Sequence, residues 1–377
     1  MRIGILTFWK TEDNYGQLLQ CYATQTYLRS LGHETFLVKA TTGRDYNPGL
    51  REQLFSKLRT AYRLLPYPLY LTQRAVKSAF YTLTHGRLKP YITQREFEGF
   101  RQKYLNCTDR EYTLDMLKND PPQADAYVVG SDQIWNTTDG IYFLSWAKDN
   151  VLKVSMAASF GARHATPQFC DLISPWLRRF DLITVREQSG LEICREAGYD
   201  SPHLAPDPTL LLRSADYDRL RSPQPRRHRY LFIYFLGTRT DIDWKQINAY
   251  AKREGLDIVY VGSQGQEDKY PKEEPTIGQW LSLIANAEYM ITNSFHGTLF
   301  AIQYRKNFVV YPISGIASGM NSRLTTLLTP LGLTDRIYSD NLDILKDHVD
   351  FDRVFDILDK QTDQCKALLS DVFKNIS

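Results

Sequence analysis

The chain is poor in cysteine, and what it has is scattered. Its 377 residues include five cysteines, Cys21, Cys107, Cys170, Cys194 and Cys365. They are odd in number and never in a CxxC spacing, which fits free thiols in a reducing compartment better than a disulfide framework or a metal site. Long hydrophobic runs are missing too. No stretch of about 18 apolar residues occurs, so nothing reads as membrane-spanning. No GxGxxG follows a first strand, which argues against a nicotinamide cofactor, and no GxxxxGK[ST] argues for nucleotide hydrolysis. No GxSxG elbow is present. Charge of one sign is also lacking: 46 Lys and Arg face 43 Asp and Glu, a net +3. With no RNP-like aromatic motif or zinc-finger spacing, nucleic acid is not an expected partner. The opening MRIGILTFWKTEDN reads as a first strand closed by charges rather than a signal peptide, so the expected location is the cytoplasm.

What is present is α/β grammar. An apolar fraction of 43% and a charged fraction of 24% are those of a globular protein. RIGILTF (2–8) is a continuous apolar run of the kind buried in parallel sheets. A polar loop follows, then a helical pattern (QLLQCYATQTYLRSLGH) and the strand ETFLVKA, which together make a βαβ unit. ADAYVVGSDQIWN, VLKVSMAASFG and FDLITVREQSGLEICREAGY continue the series. After the proline-rich, charged SPQPRRHR it starts again with RYLFIYFLG, LDIVYVG, TIGQWLSLIANA, EYMITNSFHG and KNFVVYPI. The expected organisation is an N-terminal Rossmann-like domain over 1–212, with a helical excursion at about 48–105. A linker over 213–228, a C-terminal Rossmann-like domain over 229–340 and closing helices over 341–377 complete it. Open α/β sheets bind ligands outside the carboxyl ends of their strands, so the loops of interest are NYGQ, GSDQIWN, SFG, VREQSG and NSFHG.

Residues 53–95 stand apart, with eight basic residues, seven aromatics and no Asp or Glu. Two readings stand side by side. One is a solvated helical excursion. The other is peripheral docking on an anionic membrane, each basic residue contributing roughly 1 kcal/mol near the surface.

Among the loops, NSFHGTLF turns a strand into a helix. Ser294 or Asn293 can cap that helix, Gly297 lets a ligand approach the backbone, and His296 can bind an anion or hold a proton. GSDQIWN resembles the same device. Ser131, Asp132, Gln133 and Asn136 offer hydrogen bonds and Trp135 a flat apolar face, an assortment that suits a sugar. Asn14, Tyr15 and Gln17 precede a helix and could hold a hydroxyl. Arg186, at a strand end, could pair with a carboxylate or phosphate, or with Glu187 or another neighbour. Arg323 has the same two readings. Asp207, between prolines, reads as structural or as a cleft carboxylate. Asp241-Ile242-Asp243 could ligate a metal, but capping of the following helix is the better reading.

Taken in order, RIGILTF…NYGQLLQCYAT, DAYVVGSDQIWN, SMAASFG, ITVREQSG, PDPTLLL, PTIGQWLSLIANAEYMITNSFHGTLFAI and SRLTTLLTPLGLTDR resemble the polysaccharide pyruvyl transferase family, over roughly 1–38 and 124–336. The resemblance implies a GT-B-like architecture, two Rossmann-like domains facing across a cleft. It implies transfer of pyruvate from phosphoenolpyruvate to two hydroxyls of one sugar in a cell-surface polysaccharide or its lipid-linked precursor, as a cyclic ketal. On that reading His296 and Asp132 are catalytic. Arg186, Ser294, His296, Gly297, Thr298 and Arg323 hold the donor. Asn14, Tyr15, Gln17, Ser131, Gln133, Trp135 and Asn136 lie on the acceptor side. No metal or cofactor is demanded beyond phosphoenolpyruvate as donor substrate. The alternatives are a GT-B glycosyltransferase using a nucleotide sugar and a catalytically silent carbohydrate-binding relative.

Overall fold

A computed structural model of the chain describes residues 1–11, 13–41, 95–223, 228–237, 242–263, 270–313 and 321–374. The first half builds one parallel sheet from β1 (Arg2–Leu6), β2 (Glu34–Leu37), β3 (Ala126–Val129), β4 (Leu152–Ala158), β5 (Leu182–Val185) and β6 (His203–Leu204), in the order β2-β1-β3-β4-β5-β6. Between them run α1 (Tyr15–Ser30), α2 (Phe97–Tyr104), α3 (Leu114–Asn119), α4 (Pro167–Leu177) and α5 (Gln188–Glu196). After α6 (Ser214–Asp218), a second parallel sheet forms from β7 (Tyr230–Phe235), β8 (Asp257–Gly262), β9 (Tyr289–Thr292) and β10 (Phe308–Val310), ordered β10-β9-β7-β8. Its helices are α7 (Trp244–Glu254), α8 (Ile277–Asn286), α9 (Phe295–Gln303), α10 (Ser322–Leu331) and α11 (Phe351–Lys374).

The strand orders reverse beside β1 in the first sheet and beside β7 in the second. A doubly wound sheet opens its ligand crevice at such a reversal. In the first sheet the crevice is walled by the loops after β1 and β3, in the second by those after β7 and β9. Asn293 ties the second pair together: Leu236 N donates to its Oδ1 at 2.7 Å, and its Nδ2 donates to Leu236 O at 2.8 Å. It is therefore a brace between loops, not a cap.

The two sheets do not stand apart across an open gap. α1 is buried almost all round, as a helix sandwiched between layers must be. Tyr15, at its start, stacks on Trp280 of α8 with ring centroids 5.1 Å apart and donates its hydroxyl to Pro275 O at 2.7 Å. Arg95 is buried and donates to Gly262 O at 2.7 Å and Asp13 O at 3.2 Å, with Glu274 3.5 Å away. α11 closes the molecule. Phe351, Val354, Leu358, Thr362, Cys365, Leu369 and Phe373 fall on its buried face, a helical stripe of three-and-four spacing. Its far end reaches the first domain, where Phe373 meets His33 at 5.1 Å.

Three expectations change here. Part of 213–228, read as linker, is the helix α6, whose Tyr217 is buried against Phe300. Of the basic stretch, 53–94 lies outside the described residues, and Arg95 is a buried interdomain strut rather than a surface charge. GSDQIWN is followed by turns, not a helix, so it is not a second strand-to-helix device. Asp243 does cap a helix, accepting from Gln246 N at 3.0 Å, while Asp241 lies outside the described residues.

Because Tyr15 fills space between the domains, Tyr15→Ala should cost about 3–5 kcal/mol. A urea-unfolding midpoint reads this. A loss below about 1 kcal/mol would show that the interdomain stack is not part of the stable core.

Candidate active site

The site is assembled around one carboxylate. Asp207 sits between Pro206 and Pro208, and its Oδ1 accepts from Thr209 N at 3.0 Å and Thr209 Oγ1 at 2.8 Å. Its Oδ2 accepts from Ser131 Oγ at 2.7 Å and from Arg186 Nη1 at 2.9 Å. Nε2 of His296, from the second domain, lies 3.4 Å from the same oxygen. Burial alone would raise the Asp207 carboxyl. His296, Arg186 and the Thr209 N–H outweigh it and hold the group well below the usual carboxylate range. Asp207 therefore stays ionised with its lone pairs engaged, which makes it an anchor rather than a proton acceptor for a sugar hydroxyl.

Arg186 is pinned along one edge by Asp207 and by Ser131 Oγ, 3.2 Å from Nη1. Nε and Nη2 are buried with no hydrogen-bond partner among the described residues. Asp132 Oδ1 lies 4.0 Å from Nη2, too far for a hydrogen bond. A guanidinium fork left open in this way matches the two oxygens of a carboxylate or phosphate. The Phe295 ring supports both arginines, with Arg186 4.4 Å and Arg323 5.6 Å from its centroid. Burial first, then the charge of Arg186, pushes the Arg323 guanidinium down to about 10, against the pull of Asp132, Glu187 and Asp207. It remains a cation at neutrality.

Asp132 is held under backbone strain. Its φ is 83°, and Ala157, beside a register shift between β4 and β5, has φ 56°. Such non-glycine residues cost of order 1–3 kcal/mol each and cluster where geometry serves function. Asp132 Oδ2 accepts from Gln17 Nε2 at 3.3 Å and Oδ1 from Gln133 N at 2.9 Å. Gln17 is in turn placed by the Asn14 cap of α1, Oδ1 accepting from Gln17 N at 3.3 Å.

His296 lies in the first turn of α9, capped by Ser294, whose Oγ accepts from Gly297 N at 3.1 Å. The start of α1 presses against it: a Cβ placed on Gly16 would lie 2.2 Å from His296 Cβ. Two helix N-termini, one from each domain, thus meet at the imidazole.

Several expected ligand contacts are already satisfied within the protein. Trp135 is fully buried, stacks on Phe143 and donates Nε1 to Tyr142 O at 2.9 Å, so it is core and offers no face to a sugar. Tyr15 is committed to the domain interface. Ser131 serves Asp207 and Arg186, on the side expected for the donor. Thr298 Oγ1 donates to Ser294 O at 3.0 Å, and Ser294 Oγ caps the helix. A Cβ on Gly297 would lie 2.6 Å from Thr292 Oγ1, so packing within the protein already requires glycine there. Arg186 pairs with Asp207 rather than Glu187. Glu187 turns away, accepting from Ser159 Oγ at 2.8 Å and Phe160 N at 2.9 Å. Asn136 is exposed, and Gln133 is half-buried with its Nε2 unpartnered among the described residues.

A cavity of about 210 Å³ is lined by Arg186, Asp207, Phe295 and Arg323, with Gln361 and Gln364 of α11 among its other walls. A larger one, about 390 Å³, lies elsewhere, beside Arg213 and Arg305. Those arginines are already paired with Asp359 and Asp352. Among the described residues no group of three or more His, Cys, Asp or Glu is placed to hold a metal ion, and no helix is long and apolar enough to cross a membrane.

The sequence model of the polysaccharide pyruvyl transferases matches residues 14–315, which include Asp132, Arg186, Asp207 and His296 of this site, while Arg323 lies beyond it. The chain belongs to the polysaccharide pyruvyl transferase family. It is a transferase acting on polysaccharide, and its two Rossmann-like domains are GT-B-like. No curated protein sequence matches the chain. Among solved structures it is similar to a Listeria monocytogenes protein proposed to be a UDP-N-acetylglucosamine 2-epimerase, with 10% identity and a TM-score of 0.50 over 96% of this chain and 90% of that one. It is also similar to S. aureus MnaA in a co-structure with UDP, at 13% identity and TM-score 0.47 over 95% and 90%. At 10% identity the first likeness speaks for the fold alone.

Two outcomes test the site of this pyruvyl transferase family member. Gly16→Ala must displace His296, costing about 1–3 kcal/mol of stability and roughly tenfold or more in transfer rate. Wild-type rate and stability would contradict the close contact. Because the folded Asp207 is depressed, its contribution is fully present above the unfolded value of about 3.9 and is lost as pH falls through the folded value. The destabilisation by Asp207→Asn should therefore shrink as pH falls below about 4, as read by denaturant titration.

Proposed function

We propose that the protein transfers pyruvate from phosphoenolpyruvate to two hydroxyls of one saccharide residue, forming a cyclic ketal and releasing phosphate. The observation that carries this reading is the open Nε/Nη2 edge of the buried Arg186, beside buried Arg323 and His296. Phosphoenolpyruvate has a carboxylate and a phosphate close together, and each charge-assisted bond to such a group contributes roughly 1.5–3 kcal/mol. The small cavity suits a compact donor.

In this reading His296 delivers a proton to the methylene carbon, C3, and C2 acquires oxocarbenium character. Asp132 receives the proton of the attacking hydroxyl as the first C2–O bond to the sugar forms. The C2–O bond to phosphorus then breaks, phosphate leaves, and the second hydroxyl closes the ring. Of the two hydroxyl protons, one is balanced by the new methyl group and the other leaves with phosphate. The strained backbone at Asp132 and its grip by Gln17 support its role as base, because they fix the carboxylate in one direction. On the acceptor side we assign Asn14, which caps the helix that carries Gln17, with Gln133, whose Nε2 has no partner among the described residues, and the exposed Asn136. The nucleotide-sugar alternative rests on the shared architecture only. Membrane contact through 53–94 and a lipid-linked acceptor rest on composition and family resemblance.

Arg186→Lys keeps a cation beside Asp207 but removes the fork. Calorimetric titration should show phosphoenolpyruvate affinity falling about 10- to 100-fold, and unchanged affinity would remove Arg186 from the donor site. His296→Gln should abolish transfer in a protein that still unfolds cooperatively; near-normal turnover in that variant would exclude His296 as the acid.

A further inference from the structure

The cavity holding Arg186 and Arg323 has a wall that lies beyond the region matched by the family model. That wall is made by α10, with Arg323, Thr326 and Leu327, and by α11, which contributes Gln361 and Gln364. The two glutamines are three positions apart, so they share one side of the helix. Gln361 is half-buried and Gln364 exposed. Neither side-chain amide makes a hydrogen bond among the described residues, although neighbouring polar groups are engaged: Thr326 Oγ1 accepts from Gln188 N at 3.4 Å.

The charges around the cavity explain why neutral donors are useful there. Arg323 feels the negative charges of Asp132, Glu187 and Asp207 as well as the positive charge of Arg186. Even with His296 protonated, three cations meet three anions. A strongly anionic donor therefore gains little from net charge and depends on directed hydrogen bonds. Amide N–H groups supply these without adding charge.

We infer that Gln361 and Gln364 are donor-binding residues, their side-chain amides hydrogen bonding to the phosphate or carboxylate oxygens of phosphoenolpyruvate held by Arg186 and Arg323. The inference rests on the proposed donor and adds a recognition element from the C-terminal helix. α11 is fixed independently of these residues. Its buried stripe is made by other residues, with Gln361 at the margin, and Arg305 donates to Asp352 at 2.7 Å. Changing the glutamines therefore leaves the helix in place.

The test is calorimetric titration of phosphoenolpyruvate into the full chain carrying Gln361→Leu, Gln364→Leu or both, with thermal unfolding measured on each. Each single change should weaken binding about 3- to 10-fold, and the pair about 10- to 100-fold, the range of one and two neutral hydrogen bonds. The unfolding temperature should stay within about a degree of wild type. Gln361→Glu should weaken binding further by repelling the anion. Wild-type affinity in the double variant, with Arg186→Lys still impaired, would overturn the inference while leaving the donor assignment intact. A wild-type protein that does not bind phosphoenolpyruvate would overturn both.

Discussion

A single buried carboxylate sets the geometry of this molecule's centre. Asp207 is 1% exposed and receives hydrogen bonds from Ser131, Thr209 and Arg186 while lying 3.4 Å from His296. An ionised carboxylate so deeply buried is tolerable only when its lone pairs are engaged and opposite charge is adjacent. That requirement brings Arg186 from the end of β5, Ser131 from the end of β3 and His296 from the start of α9 to one point. It also fixes Arg186 in the orientation that leaves its second edge open. The groups proposed to recognise the donor are thus arranged by one whose own task is electrostatic anchoring.

The architecture serves the same end. Both sheets reverse their strand order next to the loops that meet here, and α1 fills the seam between them. Tyr15 and Trp280 hold the seam by stacking, and Tyr15 and Arg95 by donating side-chain hydrogen bonds to backbone carbonyls across it. At its N-terminus, the absence of a side chain on Gly16 lets α1 reach the imidazole. Strain at Asp132 and Ala157 is the cost of aiming the β3 and β4 loops inward, and it is offset by the continuous apolar packing behind them.

The α/β class, the two-sheet organisation and the loops that converge were legible because parallel strands leave near-continuous apolar runs and the loops follow directly. His296, Arg186 and Asp132 could be singled out because polar residues at strand ends stand out against those runs, whereas Arg323, in the first turn of α10, had no such positional support. The roles of their neighbours could not. Trp135 and Tyr15 have the composition of a sugar platform, yet burial turned both into packing, a decision made by distant residues such as Phe143 and Trp280. Asp207 was hidden by its prolines, which fit a rigid turn equally well. Gln361 and Gln364 gave no signal, since a glutamine beside the apolar stripe of an amphipathic helix looks the same wherever that helix docks. Gly16 carried the only local hint, a glycine at the first turn of a helix.

The central claim is that carbon moves from phosphoenolpyruvate to a saccharide. The most direct measurement is NMR of the protein incubated with phosphoenolpyruvate labelled with carbon-13 at C2 and a fraction of saccharide acceptors. The account predicts that the enol carbon signal is replaced by a quaternary ketal carbon on the saccharide, with inorganic phosphate appearing in equal amount by phosphorus-31 NMR. Intact phosphoenolpyruvate, in a preparation that instead transfers a sugar from a nucleotide donor to the same fraction, would contradict it.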